Sequence, residues 1–139
     1  MIEKVFSFVK ANKDMAFATV GEDGKPKIRV FQIMLIDEVE KVLFFATLPK
    51  KEVFKQLKNN PNIEILSYAD NISVRISGKT FFDVSDAVCE KIYRENPVLL
   101  RLYKQYTDLV YFRLRIKKAE YYDLNSTTPT HECFISQNI

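Results

Sequence analysis

The chain has 139 residues, 47% hydrophobic and 28% charged, with 21 Lys+Arg against 18 Asp+Glu and a net charge of +3. That length suits one domain (residues 1–139) around one core, and the composition is globular rather than disordered. So small and scattered a positive excess excludes the usual footprint of a nucleic-acid binder, and no apolar run approaches the roughly 20 residues of a membrane span.

The first dozen residues read as an amphipathic helix, with Ile2, Val5, Phe6 and Val9 on one stripe. An acidic residue at position 3 and no long apolar stretch behind it argue against a signal peptide, so a cytoplasmic location is expected. Residues 15–20 form a short strand, and Gly21 and Gly24 flank a turn in which both can take positive φ. Pro26 opens the next strand, completing a hairpin.

Residues 27–36 are expected to be one alternating strand, with Ile28, Val30, Gln32, Met34 and Ile36 on one side and Lys27, Arg29, Phe31, Ile33 and Leu35 on the other. Apolar residues on both sides imply that both are covered, as in a closed barrel or at an interface. Residues 37–41 are an exposed turn, and residues 42–47 a third strand. Pro49 then permits a helix with Val53, Phe54 and Leu57 as its stripe, stopped at residues 59–62.

Strands follow at residues 63–69 and 72–83, with Gly78 marking a bulge or bend in the second. Asp83 or Ser85 can cap a helix carrying Val88 and Ile92, and Asn96-Pro97 separates it from a short helix with Leu99, Leu100 and Tyr103. Two more strands are expected at residues 109–116 and 119–124, and residues from Asn125 on read as a polar tail. Roughly seven strands with short turns, a leading helix and helical inserts argue a mainly β (α+β) protein: a small antiparallel barrel with helices at its ends.

Chemistry concentrates around residues 27–32 and 44–51. Arg29, Thr47, Lys50 and Lys51 are expected within reach of one another at the end of a hairpin of these two strands, offering a planar fork, a hydroxyl and two point charges to a phosphate. A helix beginning near Lys50 would add unpaired N–H groups and the positive end of its dipole. Solvated charges on a strand end and first helical turn are the commoner meaning of such spacing. Cys89 and Cys133 have no zinc or disulfide spacing, and no metal site is expected. The single histidine, His131, lies in the polar tail and reads as solvated. No catalytic residue is assigned.

The motifs Gly24-Lys-Pro-Lys-Ile-Arg-Val, Leu43-Phe-Phe-Ala-Thr, Lys50-Lys51, Leu57-Lys-Asn-Asn-Pro-Asn and Val74-Arg-Ile-Ser-Gly, in this order, resemble the pyridoxamine 5'-phosphate oxidase-like family of FMN-binding split β-barrels. The resemblance covers nearly the whole chain and implies a homodimer with FMN in grooves between the subunits. It implies that Arg29 contacts the FMN phosphate and that Val30, Phe31 and Gln32 lie along the isoalloxazine ring. It further implies Ala46 and Thr47 near phosphate or ribityl, Lys50 and Lys51 completing the phosphate site, and Ser73 as a polar ring contact, from either subunit. The arginine- and histidine-bearing C-terminal segment of the vitamin B6 oxidases has no recognisable counterpart, so the chain is more similar to the short members of the family, among them those grouped with nitroimidazole-resistance reductases. The expected function is FMN-dependent electron transfer from a nicotinamide-type donor, NAD(P)H, to a small acceptor; the alternative is a non-catalytic FMN or haem carrier or sensor on the same fold.

Overall fold

The computed structural model describes residues 1–137. Helix α1 (Ile2–Ala11) buries Val5, Phe6 and Val9 and ends at Asn12, whose N–H is bonded to the Phe8 carbonyl. Strand β1 (Asp14–Val20) and β2 (Pro26–Gln32) form the first hairpin, closed by a turn in which Gly24 alone among the glycines has a positive φ, of 76°. Short β3 (Leu35–Asp37), β4 (Val42–Thr47), helix α2 (Glu52–Asn59), β5 (Asn62–Ala69) and β6 (Ile72–Phe81) follow. Helices α3 (Asp86–Glu95) and α4 (Pro97–Leu102), a 3-10 turn, then β7 (Val110–Asp123) and β8 (Thr130–Ile135) complete the order.

The strands form one antiparallel sheet in the order β2-β1-β5-β6-β7-β4-β3, with β8 beside the second half of β7. Curled on itself, it makes the expected split barrel. The inner face holds Phe17, Phe45, Phe112, Leu114, Ile65 and Ile76, roofed by α1 and α2. Phe17, Phe31, Phe45 and Phe112 meet edge-to-face, tilted or stacked at centroid distances of 4.9 to 6.1 Å, so truncation of the fully buried Phe17, Phe45 or Phe112 to alanine should cost about 3–5 kcal/mol. A second apolar cluster joins the other side of β4 (Val42, Phe44, Ala46) to Ile92 and Leu99 of α3 and α4. All six residues of β4 are therefore buried, which explains its unbroken apolar run.

Four expectations need correction. Residues 27–36 are not one strand: the chain leaves β1 at Gln32, Ile33 N–H bonds the Lys13 carbonyl, and Met34 N–H bonds Phe44. This is the corner where the chain passes from one half of the barrel to the other. As a result β2 and β4 are not a hairpin, since β2 pairs with β1 and β4 with β3 and β7.

The two strands expected within residues 109–124 are one 14-residue strand, β7, because β6 runs beside it from Arg113 to Asp123, across the expected break, and β4 holds its first residues. Register shifts between Ser77 and Gly78: Ser77 faces Lys118 and Gly78 faces Ile116, leaving Lys117 as the extra residue on β7. Gly78 itself marks a close approach, since a Cβ there would lie 2.1 Å from the Arg115 carbonyl oxygen. Lastly, the polar tail contains strand β8, with Phe134 turned toward the core and His131, Cys133 and Ile135 outward. As for the two candidate caps of α3, Ser85 performs that role, accepting from Val88 N–H, while Asp83 binds Arg113 through both oxygens.

Candidate functional site

On edge strand β2, Arg29 stands directly opposite Phe17 and so points to the inner face of the sheet. Its head reaches the end of the barrel beneath α2. One terminal nitrogen donates to the Phe17 carbonyl at 3.1 Å and to Thr19 Oγ1 at 2.7 Å; the other donates to Gln56 Oε1 at 2.8 Å. Thr19 in turn donates to the same Gln56 oxygen at 2.6 Å. Arginine, threonine and glutamine thus close a ring of three hydrogen bonds.

Among the described residues no carboxylate partners Arg29, and burial pulls its pKa down from the ordinary value. A guanidinium has five N–H groups and stays protonated, so this one keeps a whole positive charge and donors to spare.

Thr47 ends β4 on the same side as Leu43 and Phe45, the inner side. Its hydroxyl is buried with no hydrogen-bond partner among the described residues. A buried orphan hydroxyl loses its water without compensation and leaves a donor and an acceptor open to a water or a ligand. The chain then turns through Leu48 and Pro49 into exposed Lys50 and Lys51, the latter at the N-cap of α2. Gln56 lies about 7 Å along the same helix. α2 therefore ties the basic pair after β4 to the arginine of β2, which the sheet alone does not bring together. An orphan hydroxyl, an uncompensated guanidinium, two free ammonium groups and a helix N-terminus fit a phosphate.

The other expected residues divide between faces. Phe31 packs inward among the core phenylalanines, and Ala46 turns to the α3–α4 cluster. Val30, Gln32 and Ser73 lie on the outer face of the sheet, away from Arg29. Sequence reasoning missed Thr19 and Gln56. Their signal was a polar residue within an apolar series: Thr19 after Met15 and Phe17, and Gln56 between Val53 and Leu57.

The outer face carries a second, ionic group. Opposed residues run from Leu66 to Arg75, Glu120 and Cys133 across β5, β6, β7 and β8. Glu120 accepts from Arg75 Nε at 2.7 Å and has Lys118 and His131 within 3.6 and 3.4 Å. The Arg75 hydrogen bond, above all, holds its carboxyl below the usual range. His131, expected in solvent, is stacked on Tyr122 at a centroid distance of 4.2 Å. Among the described residues no cluster of His, Cys, Asp or Glu is placed to hold a metal ion.

The fold is that of a split β-barrel protein, with Arg29, Thr19 and Gln56 held together under α2. The pyridoxamine 5'-phosphate oxidase family model matches residues 1–122, and the chain belongs to that family. None of the curated proteins matches it. Among solved structures it is similar to a Clostridium acetobutylicum protein related to general stress protein 26 of B. subtilis, of the pyridoxinephosphate oxidase family (17% identity, 96% of this chain and 93% of that one, TM-score 0.79). It is also similar to a pyridoxamine 5'-phosphate oxidase-related, FMN-binding protein of Nostoc punctiforme (14%, 98% and 91%, TM-score 0.74). A heme-binding protein of Mycobacterium smegmatis shares the fold too (14%, 91% of this chain and 55% of that one, TM-score 0.70). No helix of the described residues is long and apolar enough to cross a membrane.

Proposed function

We propose that the chain is an FMN-dependent oxidoreductase, acting as a homodimer and passing electrons from a nicotinamide-type donor to a small-molecule acceptor. The observation that carries this reading is the Arg29 corner: a guanidinium fixed by three neutral acceptors, with no carboxylate to consume its charge. Arg29 would bind the phosphate, the Thr47 hydroxyl would find its missing partner there, and Lys50 and Lys51 would add charge at the mouth. Bound FMN would supply hydride and electron transfer, so no side chain of the protein need act as acid or base.

The homodimer rests on the outer face. Val30, Ala16 and Leu66 lie side by side across β2, β1 and β5, flanked by Ile28 and Tyr68. Ile28 and Val30 are 72% and 68% exposed. A contiguous apolar patch of this kind marks an interface, and a two-fold pair of copies is the commonest way to cover it. Ser73 and Tyr122 share that face, which in a dimer would turn toward the partner rather than toward Arg29 of their own chain.

Anaerobic titration of the flavin-loaded protein with NADH and NADPH tests the activity. Bleaching of the yellow absorbance is the expected result. A loaded protein that neither nicotinamide reduces would instead be a carrier or sensor.

A further inference from the structure

We propose that Gln56 is the positioning residue of the anion site: its buried amide oxygen aims the Arg29 guanidinium and, being uncharged, leaves that guanidinium's positive charge for a phosphate-bearing ligand. This rests on the phosphate reading of the Arg29 corner and deepens it.

The geometry is specific. Gln56 sits on the buried face of α2 between Val53 and Leu57, where an apolar residue would complete the stripe. One amide oxygen accepts from Arg29 at 2.8 Å and from Thr19 at 2.6 Å, using both of its lone pairs. Thr19 accepts from Arg29 with its own oxygen, so the three side chains hold one another in a single arrangement. The Phe17 carbonyl adds a fourth contact from the strand beside. All of the acceptors around the guanidinium are neutral.

Charge decides why the residue is an amide. A glutamate of the same shape would make a stronger bond to Arg29 and a more stable pair. It would also neutralise the half-buried guanidinium and repel an incoming dianion. A leucine or methionine would pack as well against Val53 and Leu57 but leave the Thr19 hydroxyl and the guanidinium unaimed. Glutamine alone among these fixes the fork without spending its charge. The same amide lies on α2, whose N-cap is Lys51, so it locks Arg29 to the helix that follows the two lysines.

The test is a double-mutant cycle on apo protein, titrated with FMN and with riboflavin at about pH 8, where a phosphate monoester is a dianion. Gln56→Glu is expected to weaken FMN on the order of 10- to 100-fold, to change riboflavin by less than about two-fold, and to leave the fold intact by circular dichroism. In an Arg29→Ala background the uncharged Gln56→Met should change FMN by less than about two-fold, because the guanidinium it acts through is gone, whereas Gln56→Glu should still repel the dianion. With Arg29 present, Gln56→Met should give a smaller loss than Gln56→Glu, and it supplies the result if Gln56→Glu does not fold. Unchanged FMN affinity in both single variants overturns the proposal. So does an equal loss for Gln56→Met with and without Arg29, or an equal loss for riboflavin. If Arg29→Ala alone fails to separate FMN from riboflavin, the phosphate reading itself is wrong and the role of Gln56 falls with it.

Discussion

Replacing Arg29 by alanine is expected to raise the FMN dissociation constant on the order of 10- to 100-fold, from the loss of charge-assisted hydrogen bonds of roughly 1.5–3 kcal/mol. Riboflavin, which has no phosphate, should be affected much less, and titration of apo protein with both checks this. Arg29→Lys should recover only part of the loss, because an ammonium cannot span Thr19, Gln56 and a ligand as the planar fork does. Lys51→Ala should act in the same direction but more weakly, as its side chain is exposed and screened. Equal losses for the two ligands would show that this corner does not hold the phosphate. At this scale the sequence was half legible. The residue types that bind an anion stand out by chemistry, whereas those that organise them, Thr19 and Gln56, are ordinary members of a strand and a helix until the fold sets them against Arg29.

Among the elements, β6 and β7 carry the strongest constraints. Gly78→Ala would drive a methyl group into the Arg115 carbonyl, backbone that cannot rotate aside, so a loss of about 1–3 kcal/mol or more is expected in urea denaturation. Glu120 gives a pH dependence. Its carboxyl titrates lower in the folded protein than in the unfolded chain, so its contribution is present above the unfolded value and disappears as pH falls through the folded one. The stability difference between the parent and Glu120→Gln should therefore be largest near neutrality and shrink in acid. A difference that does not change with pH would show that Arg75 is not its principal partner.

Alternation placed most strands, since period two survives in a half-buried sheet. It failed where topology overrode it. The corner at Ile33 lies inside a continuous alternating run, the bulge at Lys117 joins what look like two strands, and β8 is too polar to announce itself. Pairing with β7, and not composition, makes a strand of residues 130–135.

For the whole molecule, light scattering at micromolar concentration should report twice the 16.3 kDa monomer. Val30→Asp with Leu66→Asp should shift it to monomer while circular dichroism stays native, because both side chains are exposed in the single chain. A monomeric parent would remove the support for a flavin between subunits. The arrangement of β8 has a separate consequence. It covers the edge of β7 from Lys118 to Asp123, just where β4 leaves off at Arg115, and it lies beyond the residues that match the family model. A chain cut after Leu124 would keep the barrel core and the Arg29 corner but bare a row of unpaired amides and carbonyls. Such an edge is a template for strand addition from another molecule. The shortened protein should precipitate or form thioflavin-positive aggregates at concentrations where the full chain stays clear, and amide hydrogen exchange should quicken first in the second half of β7.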